Sequence, residues 1–336
     1  MSAIETVTIG VPVYRGELFI EETLRSIQSQ THQAIEVVIS LDGPQPIAVE
    51  LCRPFLNDSR FRLVTQPQRL GWVANLNWLM SRVTTPYWCF HQQDDLMDPQ
   101  YLEVLVDYAR RTPEGAVFYC DIEAFGSLTT TFAQPSVTGS ASARQLALLY
   151  EHLTAAAFRG LTRLEALTLA DGIPANEVES FACDTVWMSA IARWGELRRV
   201  PVTLYRKRYH AGNEHMRWFT WPIEKRIKAW TVHCAAMLEQ AMLVEATAQE
   251  RRLLWLATVA RLASSRTAAR YLPIADWTAV ERSSLLDAFI DYVPTATDLD
   301  IPALLESSWT EVRGWSREFY WLPPEDRIAD APAPNV

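Results

Sequence analysis

Between Val7 and Cys120 the chain alternates short β-rich runs with segments of helical period, and this alternation constrains the fold more than any other feature. Val7–Val13, Ile35–Leu41, Phe61–Thr65, Tyr87–Phe90 and Ala116–Cys120 read as five strands. Between them, Glu17–Gln28 places Ile20, Leu24 and Ile27 on one helical face, and Ile47–Phe55, Trp72–Arg82 and Pro99–Arg110 read as further helices. Asp42-Gly43-Pro44 stops the second strand. Strands separated by helices cannot pair as hairpins, so the pattern predicts βαβ units and an α/β fold with a mostly parallel central sheet flanked by helices. Such sheets bind ligands outside the carboxyl ends of their strands.

The polar stretch from Gly126 to Ser142 reads as a loop. Helices are expected near Ala143–Leu153, Arg163–Leu169 and Ala182–Trp194, and a late strand at Val200–Tyr205. Beyond Pro222 only helical patterns follow, at Pro222–Leu243, Glu250–Ala263 and Trp277–Tyr292. The expected division is residues 1–220 as the sheet domain, 221–322 as a helical C-terminal region and 323–336 as a Pro-rich, disordered tail.

Composition narrows the function. A net charge of -9 argues against a nucleic-acid partner, whose binding rests on neutralised phosphates. The charge is uneven: Met1–Thr130 holds 9 Arg and no Lys against 16 acids, whereas Arg198–Lys228 holds 9 basic residues against Glu214 and Glu224. A compact basic stretch in an acidic chain suits a small anion. The five cysteines are odd in number, scattered and without a CxxC, which argues against a disulfide framework or a zinc site. The sequence has neither a signal-peptide pattern nor an apolar run of about 20 residues that would span a bilayer, so a cytoplasmic location is expected.

GxGxxG, GxxxxGK[ST], HExxH and GxSxG motifs are absent, so the sheet must hold its ligand by other means. The strand ends supply candidates. The first strand ends at Pro12-Val13-Tyr14, the second at Asp42 and the fourth at His91-Gln92-Gln93-Asp94-Asp95. Together they offer an aromatic ring, a hydrogen-bonding carboxylate and an acidic pair suited to a hard cation such as Mg²⁺ or Mn²⁺. Each also has a plain structural reading, as an edge aromatic, a turn aspartate or a helix cap.

The segments VTIGVPVYRGELFIEETLRSIQSQ, EVVISLDGP, RLGWVANLNWLM, PYWCFHQQDDLMDPQYLE and ESFACDTVW, in this order, resemble the family-two glycosyltransferases of the GT-A fold, over the stretch from Glu5 to His215. The resemblance implies a metal-dependent, inverting transfer of a sugar from a UDP- or dTDP-linked donor to a saccharide, lipid-linked or small-molecule acceptor. It implies that Pro12, Val13 and Tyr14 line the nucleobase, that Asp42 hydrogen-bonds base or ribose, and that Gln93 lies near the ribose. Asp94 matches the family's metal aspartate, with Asp95 beside it and His210 as a further metal or phosphate contact. Asp184, early in a predicted helix whose dipole favours its anion, matches the catalytic base. Asn77 falls in the donor-binding segment. The family's first motif aspartate is Gln92 here, Cys183 stands where an acid usually pairs with the base, and Leu76 replaces a common arginine, which makes Arg69 the candidate for the phosphates. The helical C-terminal region is open to three roles: contact with a lipid-linked acceptor, dimerisation as a homodimer, or capping of the acceptor site. Trp187, Trp194, Trp218, Trp221 and Trp230 read mainly as packing, with one or two available to a sugar ring. Two other readings compete: a non-catalytic nucleotide-sugar-binding scaffold of the same fold, and a nucleotidyltransferase, which the lack of a Gly-rich basic loop after the first strand disfavours.

Overall fold

The computed structural model describes residues 5–150, 155–213, 217–218, 220–263, 289 and 307–308. The expected helix at Trp277–Tyr292, the tail at 323–336 and His215 lie outside the described residues, apart from Phe289. The chain divides into two compact units that interleave in sequence. One comprises Met1–Ser136, Ala155–Ala175 and Trp194–His210; the other comprises Val137–Thr154, Asn176–Arg193 and Ala211–Val336.

The first unit carries a nine-stranded sheet in the order β3-β2-β1-β4-β8-β6-β9-β5, with β7 paired to β6. The five expected strands are β1 (Val7–Val13), β2 (Ile35–Leu41), β3 (Phe61–Thr65), β4 (Tyr87–Phe90) and β6 (Gly115–Gly126). They are joined by β5 (Leu96–Met97), β7 (Thr130–Phe132), β8 (Leu161–Arg163) and β9 (Glu196–Tyr209). Six strands, β1 to β4, β6 and β9, run in one direction. The α/β class therefore holds, with three short strands opposing the majority. The polar stretch read as a loop contains β7, and β6 and β9 extend well past their expected ends because they pair with each other through three register shifts.

Helices cover both faces in the order the alternation requires: α1 (Ile20–Gln28), α2 (Pro46–Cys52), α3 (Trp72–Met80), α4 (Tyr101–Arg111), α6 (Ala155–Phe158) and α7 (Leu164–Leu169). Double coverage explains why the residues between Val7, Ile9 and Val11, Thr8 and Gly10, are buried as well, instead of facing solvent. Each such aliphatic side chain contributes about 1.5–3 kcal/mol on burial. Gly10 is dictated by its neighbour: a Cβ there would lie 2.0 Å from the Trp88 indole, which crosses β1 from β4.

The second unit is helical in its described residues: α5 (Ala141–Tyr150), α8 (Cys183–Ile191), α9 (Ile223–Met242) and α10 (Ala248–Ala263). Its core gathers Phe181, Trp221, Trp230, Trp255, Leu238 and Phe289. The Trp230 indole N–H donates to the Leu262 carbonyl at 3.0 Å, which meets the polar need of a buried ring. Trp187, Trp221 and Trp230 are thus buried, whereas Trp194 is half-exposed. A capping box starts α10: the Glu250 carboxylate accepts from the Thr247 N–H, and the Thr247 hydroxyl oxygen accepts from the Glu250 N–H.

All five cysteines are free and buried. Burial pushes the Cys52 thiol up to about 11 and those of Cys120, Cys183 and Cys234 to about 12, with Cys89 higher still. Because the thiolate is the reactive form, a disulfide reagent at pH 8 is expected to find almost no thiol in the native protein and all five after denaturation. A stoichiometric fast-reacting thiol in the native state would contradict this packing.

Candidate functional site

Register brings the predicted strand ends together. Val13 of β1 pairs with Leu41 of β2, so both strands release the chain at the same level, and the Asp42 N–H donates to the Val13 carbonyl at 2.8 Å. On the other side of β1, Phe90 of β4 pairs with Gly10, so β4 stops three residues earlier. That offset lets Gln93 reach Tyr14: its Oε1 accepts from the Tyr14 N–H at 2.8 Å and its Nε2 donates to the Tyr14 carbonyl at 3.0 Å. Tyr14, Asp42 and Asp94 thus share one edge of the first unit.

Asp42 is buried, and its two oxygens accept from the Leu70 N–H at 2.5 Å and the Gly71 N–H at 3.1 Å. It fixes the turn that enters α3, where Gly71 takes φ +87°. A carboxylate offers about four lone-pair sites, and these two bonds occupy two of them. This turn carries Arg69, whose guanidinium lies 4.2 Å from the Tyr14 ring centroid and 4.0 Å from the Asp42 carboxylate. The cation–π contact has no signature in the sequence. Asn77 points elsewhere: its amide donates to the Ile173 carbonyl and accepts from the Ile173 N–H, closing the turn at Gly172.

The adjacent acids have different surroundings. The Asp95 carboxylate is enclosed by Arg159 at 3.1 Å, the Tyr205 hydroxyl at 3.0 Å and the Arg208 N–H at 2.8 Å. Although burial of the Arg159 guanidinium works against its charge, Asp95 holds that guanidinium above its ordinary range. Asp94 turns the other way, to His210 Nε2 at 2.8 Å. Burial, and then the neighbouring Asp95, raise the Asp94 carboxyl above the ordinary range, while His210 opposes the rise. One carboxylate and one imidazole on the same edge suit a hard divalent ion that completes its shell with water and phosphate oxygens. Among the described residues no group of three or more His, Cys, Asp or Glu could hold a metal, so substrate oxygens would have to supply the rest.

The basic stretch proves to be largely neutralised. Arg199 pairs with Asp121, Arg206 with Glu123, Arg208 with Glu22, and Arg198 with Glu196. The acids come mostly from β6 and α1, so the excess of charge in the sequence is not an anion surface of matching size.

Asp184 belongs to the second unit, in the first turn of α8, where its Oδ1 accepts from the Thr185 N–H at 2.9 Å. The turn leading to it is strained: Glu179, Ser180 and Ala182 all have φ near +50°. Asn176 holds that turn, donating to the Phe181 carbonyl at 3.0 Å and contacting the Cys183 sulfur at 3.2 Å. Non-glycine residues keep such angles only where surrounding contacts over-determine them, and functional sites are where such strain collects.

A doubly covered, mostly parallel sheet with an aromatic ring, a hydrogen-bonding aspartate and an acidic pair at its carboxyl edge defines an α/β protein of GT-A type. Residues 8–167 match the model of glycosyl transferase family 2, the family that the sequence resembles. The chain is 30% identical over 101 residues to glycosyltransferase GlyA of Streptococcus pneumoniae and 30% identical over 102 residues to the putative glycosyltransferase EpsH of Bacillus subtilis. Each alignment covers 30% of this chain, with 14% of the first relative's length and 29% of the second's. In structure it is similar to S. aureus TarS residues 1–349 in complex with UDP-GlcNAc, with a TM-score of 0.64, 14% identity, and 94% of this chain and 93% of that one covered. It is also similar to the mannosyltransferase PcManGT of Pyrobaculum calidifontis in complex with GDP-Man and Mn²⁺, with a TM-score of 0.55, 16% identity, and 94% and 84% covered. At these identities the likeness establishes the GT-A fold alone.

Proposed function

We propose that this chain is an inverting glycosyltransferase that moves a sugar from a UDP- or dTDP-linked donor to a hydroxyl of a saccharide or other acceptor. The observation that carries the reading is the joint exit of Tyr14 and Asp42 from paired strands, with Asp94 on the neighbouring strand end. Tyr14 supplies a flat face for the nucleobase, Asp42 has acceptor capacity left for base or ribose, and Arg69 is placed to meet the phosphates. Asp94 and His210 would hold a Mg²⁺ or Mn²⁺ ion, which supplies positive charge against the leaving diphosphate. Asp95 keeps the Asp94 loop in place through Arg159 and Tyr205. Asp184 takes the proton of the acceptor hydroxyl; the freed oxygen bonds to the anomeric carbon as its bond to the diphosphate breaks, and the nucleoside diphosphate departs with the electron pair. The family, the TarS complex with UDP-GlcNAc and the PcManGT complex with Mn²⁺ support this reading.

A thermal-shift screen of UDP, dTDP and GDP sugars, with and without Mn²⁺, tests it. A ligand at 100 times its Kd adds about 2.7 kcal/mol of stability. The expected result is a rise in Tm for a uracil or thymine nucleotide sugar that needs Mn²⁺ and disappears in Asp94→Asn. Indifference to every nucleotide, with or without metal, would reject the function; a Mn²⁺-dependent rise without slow turnover of any donor would favour a binding scaffold.

A further inference from the structure

A second glutamine acts on the same loop as Gln93. Gln45, which precedes α2, accepts from the Arg15 N–H through Oε1 at 2.7 Å and donates to the Val13 carbonyl through Nε2 at 2.9 Å. Gln93 treats Tyr14 in the same way from the β4 side. Both carboxamides therefore spend donor and acceptor together on three consecutive backbone units, at 13, 14 and 15. Within this grip Arg15 has φ +54°, a left-handed conformation that non-glycine residues avoid. Gly16 then packs on Gln93 so closely that a Cβ would lie 2.6 Å from its Oε1. The two side chains that grip this turn lie 30 and 79 positions from the N–H groups they bind.

We propose that Gln45 and Gln93 form a paired carboxamide clamp that positions Tyr14 for the nucleobase by enforcing the left-handed turn at Arg15. The proposal rests on the donor reading above and deepens it. Both glutamines are positioning residues, acting on the ligand through the Tyr14 ring. A left-handed non-glycine residue is strained, so with one clamp removed the loop relaxes to ordinary angles and the platform is lost in most molecules. The affected property is chiefly nucleobase recognition; the Asp94–His210 pair, which would hold the metal that meets the phosphates, takes no part in the Gln45 contacts.

The test compares binding of UDP and of inorganic pyrophosphate, both with Mn²⁺, by calorimetry in wild type, Gln45→Ala, Arg15→Gly and the double variant. Gln45→Ala is expected to weaken UDP about tenfold, the factor that 1.4 kcal/mol represents, while pyrophosphate stays within about twofold. Glycine adopts the left-handed turn without strain, so in the Arg15→Gly background the same substitution is expected to cost about threefold or less. Gln45→Glu keeps the acceptor for Arg15 and loses the donor to Val13, and its UDP affinity should fall between wild type and alanine. Equal losses for UDP and pyrophosphate, or a loss that is unchanged in the Arg15→Gly background, would overturn the clamp. So would a Gln45→Ala protein that binds UDP like wild type. A wild-type protein that binds no nucleotide defeats the donor reading itself, and the two failures are told apart by that first titration.

Discussion

Asp184→Asn is expected to lower kcat for sugar transfer about 10³-fold, within the range of 10²–10⁴ that a positioned general base contributes, while leaving donor affinity unchanged. The substitution keeps the size of the side chain and an oxygen that can still accept from the Thr185 N–H at the start of α8. What disappears is the capacity to take a proton. Asparagine cannot do so at any accessible pH, so the acceptor oxygen must attack while still carrying its hydrogen. A loss confined to kcat with KM for the donor unmoved marks a group that acts in the transition state rather than in ground-state binding. The measurement is release of nucleoside diphosphate from the donor in the presence of acceptor, with the UDP Kd determined separately for both proteins. A variant retaining more than about a tenth of wild-type turnover would remove Asp184 from the role of base.

Asp95→Ala should damage stability more than any other single change on this edge. The Arg159 guanidinium is 5% exposed and the Asp95 carboxylate is fully enclosed, so truncation leaves a buried cation facing the Tyr205 hydroxyl without its carboxylate. Breaking a buried pair from one side costs about 3–5 kcal/mol. At roughly 2–4 °C per kcal/mol for a domain of this size, Tm should drop by about 10 °C. Substituting both partners together, Asp95→Leu with Arg159→Met, should recover much of the loss, because no orphaned charge remains. If Asp95→Ala melts with the wild type, the enclosure described around this pair is wrong.

The two adjacent acids show where sequence reading succeeds and where it stops. Asp94 and Asp95 are alike in the chain, and only the partners differ: His210 for one, Arg159, Tyr205 and the Arg208 N–H for the other. Those partners lie 64 to 116 positions away, so no local pattern separates a carboxylate open to a cation from one spent on an internal pair. Strands β1 to β3 were legible because each combines β-branched residues with a turn signal, β4 because it is a short aromatic run, and parallel order follows from the helices between them. By contrast, β5 and β8 have two and three residues, too few for any periodicity to register. The basic run on β9 misled for a similar reason. Its Arg199 and Arg206 are neutralised by Asp121 and Glu123 on β6, an acidic row that becomes adjacent only when β6 and β9 pair. Tyr14 and Asp42 were legible as strand ends, whereas the glutamine clamp and the guanidinium on Tyr14 depend on loop geometry that composition does not encode.

The most direct measurement of the account is a calorimetric titration of UDP into wild type and Asp94→Asn, each in Mn²⁺ and again after chelation. A nucleoside diphosphate held at this edge through a metal on Asp94 predicts that chelation weakens wild-type binding about tenfold or more, one charge-assisted contact being worth at least that much, while the variant binds equally weakly in both conditions. Equal affinity in wild type and variant with Mn²⁺ present would contradict it.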